Sequence, residues 1–236
     1  MIKSYVIRKG RFTEAQRKAY LELSDRFIIP VSDKQKDDPC ISQEKLDFNA
    51  VFKNKNGVTL EIGFGSGLAT AIIAQENNER NFLGIEVHKP GIGRLLWEIE
   101  KRSLVNIRII EYDAVFVVQN MIPLKSLDAI HIFFPDPWPK KKHKKRRLIQ
   151  RPFTDFLAGS LKPGGYLYMV TDWEDYANHA LEELNASCEL KNAFNDFSPP
   201  MIWRPQTRFE QKGIEKDHVI RELYFNKTDN NHASYN

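Results

Sequence analysis

Beyond Gly57 the chain falls into a rhythm that few folds satisfy: apolar runs of strand length alternate with longer amphipathic segments. Strands are expected at 58–64, 81–87, 106–112, 127–134, 166–171 and 219–225. Helices are expected between them, at 67–76, 91–102, 114–121, 144–161 and 173–184. Runs that are apolar on both faces must be covered on both faces, which selects an α/β, doubly wound sheet. The expected helix at 144–161 rests on Phe153, Phe156, Leu157 and Leu161, which recur at helical spacing. Lys162-Pro163-Gly164-Gly165 should stop it.

The flanks read differently. A helix over 13–27 would start at Thr13 with Gln16 completing a capping box. The stretch after it, 29–39, is polar and irregular, and no motif anchors 31–56. Residues 1–57 are therefore expected to be an N-terminal helical arm on a main domain of 58–227, and the polar tail 228–236 to be disordered. A chain of 236 residues buries one core unaided, and no stretch nears the roughly 20 apolar residues of a membrane span. The first ten residues lack the apolar centre of a secretory signal, so a cytoplasmic protein is expected. The cysteines, Cys40 and Cys188, have no CxxC spacing, which argues against a disulfide framework and a thiolate zinc site.

The first strand runs into Glu61-Ile62-Gly63-Phe64-Gly65-Ser66-Gly67, and then a helix begins. Gly63 and Gly65 permit a tight turn and let a ligand approach the backbone at a helix N-terminus. A dinucleotide fingerprint wants a small residue where Leu68 stands, which argues against a pyrophosphate ligand. Glu86, 19 positions past Gly67 at the end of the second strand, is placed to accept from ribose hydroxyls. Asp113 comes directly after the third strand and could accept from an adenine amine or cap the next helix.

The fourth strand ends in Phe134-Pro135-Asp136-Pro137-Trp138-Pro139. Three prolines restrict their own φ and their predecessors, so Asp136 and Trp138 stand on a stiff platform. A basic run begins at once: Lys140, Lys141, Lys142, His143, Lys144, Lys145, Arg146, Arg147. It holds seven of the 35 cations, and the net charge of +4 falls to −3 when these seven are set aside. Such a run is a solvated face or a phosphate-binding surface.

FPDPWPKKKHKKRR after a strand resembles the signature of the bacterial tRNA (guanine-N7)-methyltransferases. EIGFGSG, GIEVH at 84–88, TDWEDYA at 171–177 and TRFE at 207–210 agree, and the likeness runs from about residue 8 to 225. It implies the Rossmann-like class I methyltransferase fold, a seven-stranded sheet whose last strand is antiparallel. It also implies transfer of a methyl group from S-adenosyl-L-methionine to N7 of guanine 46 in the tRNA variable loop, releasing S-adenosyl-L-homocysteine, with no metal and no obligatory protein partner. By that resemblance Glu61, Glu86, Asp113 and Asp136 fall on cofactor positions, and Asp136 on the catalytic one. Lys140, Asp172, Thr207, Arg208, Phe209 and Glu210 fall on substrate positions. Lys142, His143, Lys144, Lys145, Arg146 and Arg147 fall on the RNA segment.

Guanine N7 carries a lone pair and no proton, so its methylation needs alignment and electrostatics, not a general base. Trp138 and Phe209 could each stack on the target base or merely pack. His131, His179 and His218 read as isolated strand or helix residues. An exocyclic-amine methyltransferase would carry DPPY or NPPY where this chain reads DPWP. A non-catalytic RNA-binding relative would be free to lose Glu61, Gly63, Gly65, Glu86 and Asp136, and all five are present.

Overall fold

The computed structural model describes residues 4–5, 10, 12–31 and 44–229, without the side chains of Arg208 and Lys212. Seven strands form one sheet: β1 (Val58–Ile62), β2 (Asn81–Glu86), β3 (Ile107–Glu111), β4 (Leu127–Phe133), β5 (Leu161–Thr171), β6 (Leu190–Asn192) and β7 (Arg221–Lys227). Their spatial order is β3-β2-β1-β4-β5-β7-β6, with β7 antiparallel to both neighbours. Strand order reverses between β1 and β4, and open α/β sheets bind ligands beyond the carboxyl ends of the strands at such a point.

The helices are α1 (Glu14–Phe27), α2 (Phe48–Phe52), α3 (Leu68–Glu76), α4 (Lys89–Arg102), α5 (Ala114–Asn120), α6 (Phe153–Ser160), α7 (Glu174–Asn185) and α8 (Arg208–Ile214). One core joins α1, α3 and α4 to one sheet face through residues such as Phe27, Ile73, Leu95 and Ile99. The other joins α5, α6 and α7 to the opposite face through Val117, Leu157, Tyr176 and Leu184. The expected capping box forms: Thr13 Oγ1 accepts from Gln16 N at 3.3 Å, and Gln16 Oε1 accepts from Thr13 N at 3.0 Å. After α1, Ile28 bridges Ile109, and Ile29 N donates to Ile109 O at 2.8 Å, so the arm closes the β3 edge of the sheet.

Two expectations need correction. The helix expected over 144–161 is a 3-10 helix at Lys141–Arg146, a break, and then α6. Pro152 has no N–H and its ring obstructs the preceding turn, so an α-helix can begin after it but cannot run through it. The strand expected to start at 166 begins at Leu161, which pairs with Leu127 before a register shift. Strand β6 and helix α2 are too short for periodicity to mark. Of the tail expected to be disordered, 230–236 lie outside the described residues, as does 32–43 of the arm. Among the described residues no helix is long and apolar enough to cross a membrane.

Candidate active site

A cavity of about 540 Å³ opens at the point where strand order reverses. Its wall includes Gly63 and Gly65, Glu86 and His88, Tyr112 and Ala114, the segment 134–137, and Asp172, Phe209 and His218. Gly63 and Gly65 have φ of 72° and 57°, and a Cβ on either would enter open space, so side chains there would occupy the ligand volume. On the other flank of the loop, α4 approaches so closely that a Cβ on Gly91 would lie 2.0 Å from the Gly65 carbonyl oxygen.

Glu86 is pinned by backbone donors. Its Oε2 accepts from Gly65 N at 2.9 Å, while its Oε1 accepts from Val87 N at 2.7 Å and His88 N at 3.0 Å. The acid at the end of β2 thereby locks the glycine loop to its own strand while facing the cavity. Glu61 lies deeper, 3% exposed on β1. Burial pushes its carboxyl up to about 7, with the Glu86 charge adding and Thr70 opposing. Asp113 caps α5, accepting from Phe116 N at 2.8 Å, and it is Tyr112 and Ala114 that line the cavity.

The loop after β4 departs from ordinary backbone geometry at two non-glycine residues, Phe134 (φ 50°) and Trp138 (φ 46°). Such conformations persist where surrounding contacts impose them. Phe134 N donates to Val170 O at 2.8 Å. Trp138 is buried, its Nε1 donates to Ser4 O at 3.1 Å, and Arg146 lies 4.9 Å over its ring. Packing, not presentation to a base, is therefore what holds Trp138. Between these two anchors Asp136 faces the cavity. Beneath the loop, burial pushes the Tyr176 hydroxyl up to about 12, and the charge of Asp136 contributes.

The basic run divides. Lys140, Lys141, Lys142 and Lys145 are exposed. His143 packs edge-on to Trp138 at 5.9 Å, and Lys144 donates to Asp175 Oδ1 at 2.7 Å. Arg147 turns inward and is 1% exposed. Its Nε donates to Pro137 O at 3.0 Å, its Nη2 to Asp175 Oδ2, and its guanidinium lies 5.0 Å over the Tyr176 ring. Hydrogen bonds from Lys144 and Arg147 hold the Asp175 carboxyl down to about 2. In this conformation Arg147 is withdrawn from any phosphate, and it ties the Asp136 loop to α7.

The TRFE segment divides too. Thr207 and Glu210 form the capping box of α8. Glu210 is buried, taking both Nη atoms of Arg204 at 2.6 and 2.7 Å, and Arg204 also reaches Glu222 on β7 at 2.8 Å. Phe209 is exposed on the cavity wall, 5.2 Å from the Phe134 ring. Asp172 also faces the cavity and bonds to His218, a residue that the motifs did not single out. His131 is instead buried in an aromatic cluster with Trp203 and Phe133, and burial pushes it down to about 3, so it stays neutral.

A family model described as "Putative methyltransferase" matches residues 55–223. The chain is 49% identical over 226 residues to a tRNA (guanine-N(7)-)-methyltransferase of Nitrosomonas eutropha, covering 96% of each protein. It is 45% identical over 226 residues to a protein of the same description from Nitrosospira multiformis, covering 96% of this chain and 94% of that one. Among solved structures it is similar to the 16S rRNA methyltransferase KamB, with TM-score 0.58 and 16% identity over 79% of this chain and 95% of that one. It is also similar to the antibiotic-resistance methyltransferase Kmr, with TM-score 0.52 and 13% identity over 80% and 94%. These two likenesses concern the fold.

Proposed function

The chain belongs to the tRNA (guanine-N7)-methyltransferase family, and from that premise we propose that it methylates N7 of guanine 46 in the variable loop of tRNA, in the cytoplasm, using S-adenosyl-L-methionine. The observation that carries this reading is the join of two features: a cavity walled by Glu86, Asp136 and Asp172, and an exposed basic run that begins four residues after Asp136.

The residues fit the proposed cofactor. The space over Gly63 and Gly65 is open, Glu86 retains acceptor capacity beside its three backbone donors, and Glu61 lies below the loop. When bound, the cofactor supplies a methyl group on a cationic sulfonium. Glu86 would hold the ribose hydroxyls, and Glu61 would favour a cationic amino group. Asp113, engaged as a helix cap, would act on the adenine end through the placement of Tyr112 and Ala114.

On the substrate side Asp136 would stabilise the positive charge that the base acquires, with no proton to remove at N7. Asp172 and Phe209 would complete the base pocket. Lys140, Lys142 and Lys145 would meet phosphates, giving affinity that weakens with salt. Thr207 and Glu210 would act by shaping α8 so that Phe209 faces the cavity.

The test is nucleoside mass spectrometry of unmodified tRNA incubated with the protein and labelled donor. Labelled 7-methylguanosine lost on changing guanine 46 is the expected result. Label on any other base or position would reject the assignment.

A further inference from the structure

His218 belongs to none of the motifs, yet it stands at the cavity wall beside Asp172, its Nδ1 3.0 Å from Oδ2 across 46 positions of sequence. The sheet makes this meeting. Thr171, the last residue of β5, pairs directly with Arg221, the first residue of β7. The chain leaving β5 and the chain entering β7 therefore lie at the same edge. His218 N also donates to Gly213 O at 3.0 Å, which ties the main chain at His218 to the end of the helix that carries Phe209.

A carboxylate can only accept, so the proton of this bond resides on the imidazole Nδ1. Among the described residues Asp172 Oδ1 and His218 Nε2 make no other side-chain hydrogen bond. Guanine presents N1–H and its amino group on the side of the ring away from N7. A carboxylate that takes those donors leaves N7 free for the methyl group, whereas adenine would turn a lone pair at N1 toward it. We propose that His218 is a positioning residue for the substrate purine: it fixes Oδ2 of Asp172 and so presents Oδ1 to the guanine N–H edge. This rests on the reading of the cavity as a guanine site.

The experiment compares steady-state methylation of unmodified tRNA by wild type and by His218→Ala, His218→Asn and His218→Gln. An Asn amide nitrogen falls near the place of Nδ1, whereas a Gln amide nitrogen falls near Nε2. The Ala and Gln variants should lose roughly ten-fold or more in kcat/KM for tRNA, the scale of one hydrogen bond to a charged group. His218→Asn should stay within about three-fold of wild type by the same reasoning. Donor affinity by calorimetry should be equal in all four proteins, which also reports that each is folded. Wild-type kcat/KM in His218→Ala, or Asn and Gln variants impaired alike, would overturn the proposal. A wild-type protein that makes no 7-methylguanosine would overturn the parent reading, and this one with it.

Discussion

Among the described residues, Glu61 is the carboxyl group whose surroundings most oppose its charge. Its folded value of about 7 lies above its ordinary 4.5, so the folded protein holds a proton that the unfolded chain has released. Wild-type stability should fall as pH rises between those values, with the whole cost present above 7. Glu61→Gln removes that cost and should stabilise the protein by about 1–3 kcal/mol at pH 8 and by little at pH 5. The same change should weaken donor binding. Urea unfolding at the two pH values checks the first part, and an equal shift at both would reject it. Asp136→Asn is nearly isosteric in a loop held from both ends, so Tm should stay near wild type while kcat falls by roughly 10²-fold. Turnover near wild type with saturating tRNA would remove Asp136 from the catalytic position. Glu61 and Asp136 were legible as candidates because each lies within a few residues of the glycine or proline pattern that positions it, and Glu86 because it ends the next strand, 19 positions past Gly67. His218 was not, because its partner is set by the β5–β7 register, which no local pattern encodes.

At the scale of elements, the 3-10 helix of the basic run presents some side chains outward, and the arginine that closes it turns inward. Replacing Lys144, Lys145 and Arg146 with Ala should flatten the dependence of log affinity for tRNA on log salt by up to about 2–3 units. Lys144 already serves Asp175 and Arg146 covers Trp138, so a loss near 1 unit is expected if those contacts persist on RNA. Parallel salt lines of equal affinity would show that these three residues do not bind phosphate. Arg147→Lys should leave the slope unchanged and lower kcat, because an ammonium cannot bond Pro137 O and Asp175 with the same fork. Charge alone could not reveal this division. The lysines and arginines are adjacent in sequence, and the contacts of Arg147 with Pro137, Asp175 and Tyr176 decide which one is withdrawn. The helix boundary was misplaced for a related reason: apolar spacing after 153 is helical, and Pro152 outweighs its extension backward.

At the scale of the whole molecule, the α/β alternation and the antiparallel last strand were recognisable, while the way the N-terminal segment covers the sheet was not. Phe27 is 3% exposed and packs with α4 residues in the core that α1 completes. Phe27→Ala should cost about 3–5 kcal/mol, seen as a drop in Tm of roughly 10 °C for a chain of this size. A drop of a degree or two would mean that α1 is dispensable to that core. The inward turn of Arg147 also tells a protein engineer where to cut. A foreign basic segment could replace 140–146 and bring its own preference for RNA shape, but the splice must stop short of 147. Past that point the insert would sever the tie between α7 and the carbonyl next to Asp136. A chimera cut after 146 should acquire a new substrate range, and one cut after 147 without restoring the arginine should bind RNA and turn over poorly.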